Sequence, residues 1–349
     1  MNIKALSFDE IESFIKDLGE PRFRARQVID WLFVKGVATF DAMTNLPLSL
    51  RQRLSEAATL SVPEILRRHA SGDGKTIKYL LRLHDGETVE TVFMHRSWGR
   101  TACVSTQAGC RMGCSFCASG IGGLSRNLTA GEIYDQVLFT QIDSGMRVSH
   151  VVLMGTGEPF DNLDNTIRFL KNITNPLGLG IGARHITVST CGVVPGIYAL
   201  AGLELQVGLA VSLHAPNDGL RSRLLPINRR YPLKALIPAC REYINKTGRR
   251  VTFEYTLVSG VNDGKKEAEE LADLLRGLLC HVNLIPLNRV LERRFEAPTP
   301  ERVAEFEAVL ARNGLAVTVR REIGSGISAA CGQLRKRYRT EQYYNTSEP

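Results

Sequence analysis

Cys110-Arg-Met-Gly-Cys114-Ser-Phe-Cys117 puts three thiols into eight residues, spaced x3 and then x2. Thiolates this close need something cationic to join them, and soft sulfur suits zinc or an iron–sulfur cluster. A structural zinc site wants four protein ligands and usually shows paired C-x2-C knuckles. Here a triplet stands without an adjacent fourth Cys or His. A 4Fe–4S cluster held by three cysteines leaves one iron open to a small molecule, and the x3/x2 spacing wraps one loop around three corners of such a cube. Gly109 and Gly113 let the backbone approach closely. Ligand softness and count therefore favour a 4Fe–4S cluster, one per chain, over zinc or unliganded thiols. Four of the eight cysteines fall between 103 and 117, a clustering that speaks for metal or redox chemistry rather than a disulfide framework. Cys103, Cys191, Cys240, Cys280 and Cys331 taken singly read as small buried hydrophobes.

The elements that position this loop follow from periodicity. The chain has 349 residues, 44% hydrophobic and 23% charged, which excludes disorder, collagen and coiled coil and suits one large domain with one or two small ones. No apolar run is long enough to span a bilayer and the N-terminus has no apolar signal core, so an intracellular, non-membrane protein is expected. Residues 1–58 read as a helical module: a Ser7/Glu10 capping box opens the first helix, a second covers 24–34 and ends at Gly36, and short helices follow near 40–43 and 50–57. Alternation then predicts strands at 78–83, 89–94 and 102–105, with turns at 71–74 and 84–86, as a β extension over 59–100. Beyond it, strands at 149–154, 185–190, 208–213, 251–257, 281–286 and 316–320 alternate with helices at 130–144, 162–173, 196–202, 232–245, 264–277 and 300–313. This rhythm means a parallel sheet with right-handed crossovers, closed or partly closed into a barrel over 101–334, before a basic tail at 335–349.

C-x3-C-x2-C with an aromatic before the last Cys resembles the radical S-adenosylmethionine (SAM) superfamily. CVSTQAGCRMGCSFC, with MGTGEP, STCGVVPGI, VSLHAPND and AACGQL downstream and EPRFRARQVIDWLF near the N-terminus, resembles the RlmN/Cfr family of RNA methyltransferases over nearly the whole chain. The resemblance implies an α/β fold: a partial (β/α)6-type radical SAM barrel with a small N-terminal helical domain that binds RNA and an antiparallel β extension. It implies a reaction in which an adenine ring carbon, neither nucleophilic nor acidic enough for simple displacement, is methylated through a cofactor radical. Two SAM molecules serve each turnover. Cys331 carries the methyl group as S-methylcysteine, Cys103 resolves the adduct through a transient disulfide with Cys331, and Glu90 accepts the proton. Cys110, Cys114 and Cys117 hold the cluster; Gly157, Glu158, Ser189, Ser212, Leu213, His214 and Asn288 bind SAM. The last seven sit at or just past expected strand ends, where parallel barrels build their sites.

The substrates implied are carbon 2 of an adenine in 23S rRNA at the peptidyl transferase centre and the adenine next to the anticodon in tRNAs. A reducing donor such as flavodoxin, a cytoplasmic location and a monomeric state complete the expectation. Carbon 8 of the same ribosomal adenine is the first alternative, and the proline of MGTGEP leans against it. A radical SAM enzyme acting on protein, needing neither Cys103 nor Cys331, and a non-catalytic zinc protein that binds RNA are the others. Three positions depart from the family pattern: Thr156 stands where Met is usual, Gly326-Ile327 where Asp-Ile is usual, and Asn288-Arg289-Val290 lacks a proline. The net charge of +8 fits a polyanionic partner. Expected RNA backbone contacts are Arg22–Arg26, Arg221/Arg223, Arg229/Arg230, Arg249/Arg250, Arg293/Arg294 and the tail from Arg335 to Arg339.

Overall fold

The Ser7 side chain accepts from the Glu10 backbone N–H while the Glu10 carboxylate accepts from the Ser7 N–H, and this capping box starts α1 (Phe8–Asp17). The computed structural model describes residues 1–288, 290 and 292–320. α2 (Arg22–Asp30) runs into one π turn that stops at the left-handed Gly36, and α3 (Leu48–Ala57) follows. Four strands come next: β1 (Glu64–Ala70), β2 (Thr76–Arg82), β3 (Thr88–Arg96) and β4 (Gly99–Cys103). Two short strands, β5 (Gln107–Gly109) and β6 (Leu124–Asn127), flank the cysteine loop. Then the β/α rhythm begins: α4 (Ala130–Ser144), β7 (His150–Leu153), α5 (Leu163–Thr174), β8 (Ile186–Thr190), α6 (Val194–Gly202), β9 (Gly208–Ser212), α7 (Asp218–Leu224) and α8 (Leu233–Thr247). It ends with β10 (Val251–Leu257), α9 (Lys265–Leu275), β11 (Cys280–Pro286), α10 (Pro300–Arg312) and β12 (Val317–Val319). The helix at 130–144 was expected with these bounds; α7, β1, β5 and β6 were not expected. Among the described residues no helix is long and apolar enough to cross a membrane.

The chain divides into two units. The first comprises Met1–Ala108, Arg126–Gly155 and Asn162–Ile186. Here β1 to β4 form an antiparallel meander, and β7 adds parallel to β4. The N-terminal helices dock on α4 through side chains that sequence proximity does not announce. Lys4, wholly buried, is ion-paired with Asp135 and stands over the Phe33 ring at 5.5 Å. Phe8, Phe33, Tyr134 and Phe169 stack edge to face, and the Tyr134 hydroxyl donates to the Phe33 carbonyl at 3.0 Å. Removing one partner of a buried ion pair strands the other charge. Lys4→Ala is therefore expected to cost about 3–5 kcal/mol in urea denaturation, and Lys4→Met with Asp135→Leu to recover most of it.

The second unit comprises Gly109–Ser125, Thr156–Asp161 and the chain from Thr187. Its strands β8, β9, β10, β11 and β12 are parallel neighbours in sequence order, the arrangement that helical crossovers impose. β10 reads VTFEYTL and is buried almost throughout, as a central strand covered on both faces must be.

Candidate active site

In the second unit the cysteine loop is closed by the Cys110 N–H donating to the Gly123 carbonyl at 3.0 Å. Gly109 (φ 89°) permits this: a Cβ there would stand 2.1 Å from the Gly123 oxygen. The loop interior is turned by Cys117 N–H to the Cys114 carbonyl (3.2 Å) and tied to the end of α7 by Ser115 N–H to the Leu224 carbonyl (2.9 Å). Met112, Cys114 and Phe116 pack on a cluster of Cys191, Ala215, Leu220, Leu224 and Leu225. Outside it, Arg111 forms a two-pronged ion pair with Asp161, at 2.8 and 2.6 Å.

Burial pushes the Cys110 thiol up to about 11, and the Cys117 thiol pushes the same way against a Met112 backbone N–H. Burial, then Cys117 and Cys110, push Cys114 higher still. The three sulfurs thus feel one another in surroundings where a thiolate needs a cationic partner such as iron to be stable. The Ser115 Oγ, between the second and third cysteines, is buried with no hydrogen-bond partner among the described residues and can serve cluster sulfide. This donor set fits a three-thiolate iron–sulfur cluster.

The expected SAM residues lie at the C-terminal ends of the parallel strands or just past them. Ser189 is the penultimate residue of β8, Ser212 ends β9, and Leu213 and His214 follow it, both buried. Asn288 lies exposed two residues beyond β11. Gly157 and Glu158 lie in the segment after β7. The Glu158 carboxylate accepts from the Cys191 N–H at 2.7 Å and the Phe160 N–H at 3.1 Å; burial raises its pKa and these donors oppose that. It therefore anchors the two segments to each other, in addition to any lone pair it offers an ammonium group. His214 holds a left-handed backbone (φ 57°) and meets Phe116 edge to face at 5.0 Å. Its Nδ1 accepts from the Thr256 N–H at 2.9 Å, which leaves the proton on Nε2. Burial, then the charge of Arg221, push its pKa down to about 3, so the ring is neutral and offers Nε2–H as a donor.

Arg221, expected on the sequence to touch RNA phosphate, is instead wholly buried. It donates to the carbonyls of Leu213 (3.2 Å), Ser212 (3.2 Å) and Cys191 (2.7 Å) and to Asn228 Oδ1 (2.7 Å). One guanidinium thus holds the chain at the ends of β8 and β9, where four of the expected SAM residues lie at or just past the strand termini. Its neighbour Arg223 is exposed. Leu224 and Leu225 follow Arg221 at i+3 and i+4, which puts Arg221 on their face and leaves Arg223 off it, a signal available before folding but not used.

In the first unit, Cys103 ends β4 and is buried. Glu90 on β3 is buried too, not an exposed strand glutamate, and pairs with Lys78 of β2 at 2.9 Å. The Ser105 hydroxyl donates to the Glu90 carbonyl at 2.7 Å, while Gln136 accepts from Ser105 N–H (2.7 Å) and the Thr91 hydroxyl (2.8 Å). Lys78 was missed on the sequence; its signal was one lysine in an apolar strand joined by a hairpin to a strand with one buried glutamate. Cys331, Gly326-Ile327 and the Arg335–Arg339 tail lie outside the described residues.

The model of the ribosomal RNA large subunit methyltransferase N-terminal domain matches residues 1–60, and that of the radical SAM superfamily matches 104–275. A "Probable dual-specificity RNA methyltransferase RlmN" of Desulforamulus reducens is 56% identical over 98% of this chain and 97% of its own. Its namesake in Pelotomaculum thermopropionicum is 57% identical over 97% and 92%. The crystal structure of a radical SAM methyltransferase from Sphaerobacter thermophilus superposes with a TM-score of 0.91 at 50% identity, covering 95% of this chain and 98% of that one. The expected α/β radical SAM fold is thereby established, and with it the superfamily's 4Fe–4S cluster and SAM. Matched along almost its entire length in sequence and in fold, the chain belongs to the RlmN family of radical SAM RNA methyltransferases.

Proposed function

We propose that this protein methylates carbon 2 of an adenine in 23S rRNA, at the peptidyl transferase centre, and of the adenine next to the anticodon in tRNAs. The observation that carries the reading is the three-thiol loop beside strand-end groups suited to SAM, in a chain more than half identical to relatives named as dual-specificity RNA methyltransferases. Residues 1–58 bind RNA, 59–100 form the β extension, 101–334 carry the catalytic core and 335–349 a basic tail. The cluster on Cys110, Cys114 and Cys117 supplies, when bound, the electron that splits one SAM of the two used per turnover.

The chain's own groups do the rest. Gly157, Glu158, Ser189, Ser212, Leu213, His214 and Asn288 orient SAM, with the neutral His214 ring donating. The Cys331 sulfur carries the methyl group to the base. Glu90, a carboxylate beside Lys78, accepts the proton from the adduct, and Cys103 attacks the Cys331 sulfur to free the product as a disulfide forms. A flavodoxin-like donor and a monomeric, cytoplasmic enzyme complete the proposal.

Two mass measurements test it. Peptide mapping of SAM-exposed, cluster-bearing protein is expected to find a thioether at Cys331, and nucleoside analysis of methylated RNA is expected to find the group on carbon 2. A group on carbon 8 would move the enzyme to the sister activity. Full RNA-methylating activity in a Cys331→Ala protein would rule out methyl transfer through that cysteine.

A further inference from the structure

At 65% exposure, Trp98 is the most exposed large apolar side chain among the described residues, and nothing in the folding of its unit uses its outer face. It sits at the tip of the β3–β4 hairpin, where it is held rather than left to wave. Its ring meets His150 edge to face at 5.2 Å, and His150 meets His185 in the same way at 4.6 Å. Gly99, next to it, takes φ 156°, and a Cβ there would stand 2.6 Å from His150 Nδ1, so glycine lets the tip close on that ring. Ser149 fastens the hairpin from below: its Oγ accepts from the Arg100 N–H at 2.9 Å.

The three chain segments that carry this aromatic array bear charge of one sign. Arg96 and Arg100 bracket Trp98 on the hairpin, Arg147 lies three residues before His150, and Arg184 precedes His185. None of the four is in an ion pair among the described residues, and the segments 95–100, 146–150 and 181–185 contain no Asp or Glu. Elsewhere in the same unit arginines are matched to carboxylates, as Arg68 is to Asp143, Arg82 to Glu64 and Arg126 to Asp85 and Glu132. None of the arginine clusters singled out on the sequence includes this place.

We propose that the β3–β4 tip is an RNA-docking surface on which Trp98 stacks an unpaired base while the surrounding arginines hold the flanking phosphates. The inference rests on the RNA methyltransferase reading and adds to it where the substrate is gripped outside the reaction centre. A lone aromatic ringed by cations lacks the apolar area that the core of a protein interface needs. It has what single-stranded RNA asks for, a π face for any base and positive charge along the backbone.

The chain has two tryptophans, so a Trp31→Phe holoenzyme reports on Trp98 alone. It is titrated with an unmodified tRNA transcript and an unmodified 23S rRNA fragment, and methylation of each is assayed in parallel. The expected result is saturable quenching of Trp98 by whichever RNA is methylated. Trp98→Ala in the otherwise unaltered enzyme then weakens RNA binding on the order of 10-fold, with kcat at saturating RNA and the unfolding midpoint unchanged. Trp98→Phe recovers most of the binding, and Arg184→Gln lowers the salt dependence by about one phosphate contact. Unmoved Trp98 emission at saturating RNA, with Trp98→Ala binding as tightly as the unaltered enzyme, overturns the surface while the functional reading stands. Methylation of neither RNA by the unaltered holoenzyme overturns that reading and the surface with it.

Discussion

A Cys114→Ala protein produced with iron and sulfide is expected to emerge colourless, with iron far below the roughly four atoms per chain of a complete cluster, and to methylate no RNA. Cys114 is the middle of the three proposed ligands, and its thiol feels both Cys110 and Cys117. Two remaining thiols cannot hold a cube that three corners anchor. The fold itself is expected to survive, because Cys114 is only partly buried and packs at the margin of the Leu220–Leu224–Leu225 cluster. Its thermal unfolding without iron should therefore match that of the iron-free parent, within about 1 kcal/mol. Cys240→Ala is the control: that thiol is wholly buried within α8, so its loss costs some stability but leaves colour and activity in place. A brown Cys114→Ala protein with its full iron would remove the loop from the cluster.

Arg221→Met is expected to destabilise the protein on the order of 4 kcal/mol in urea denaturation and to weaken SAM binding at least about 10-fold by equilibrium dialysis. The side chain it removes supplies four hydrogen bonds in a site closed to water, to the carbonyls of Cys191, Ser212 and Leu213 and to Asn228. Each stranded buried acceptor costs about 1–3 kcal/mol, and the costs overlap because the acceptors share one donor. Asn228 also donates to Asp218 Oδ1 at 2.9 Å, so the start of α7 loosens with it. Arg221→Lys should rescue little, since one ammonium cannot reach acceptors spread around a planar fork. A methionine variant within about 1 kcal/mol of the parent and with unchanged SAM affinity would make the guanidinium a passenger.

What the chain announces in its linear order is whatever depends on neighbours in sequence. The x3/x2 spacing of Cys110, Cys114 and Cys117 is one such constraint, because it brings three thiols into a single loop. The Ser7/Glu10 and Thr129/Glu132 capping boxes are others, and both helices start where those residues put them. Parallel strands separated by helices follow from a change of period from 2 to 3.6, and the strand-end positions of Ser189 and Ser212 follow from that. The tertiary structure decided what depends on residues far apart in the chain. Alternation along β3 could not say whether Glu90 faced water or an ammonium group; pairing with β2 brought Lys78 to it. Lys4 and Asp135 are separated by 131 positions, and no local pattern joins them. Arg221 reads as surface charge until α7 folds against the ends of β8 and β9 and gives it four acceptors to satisfy. Charged and polar side chains are ambiguous in a sequence for this reason: their burial depends on partners supplied by other elements, whereas spacing and period are fixed by the covalent chain.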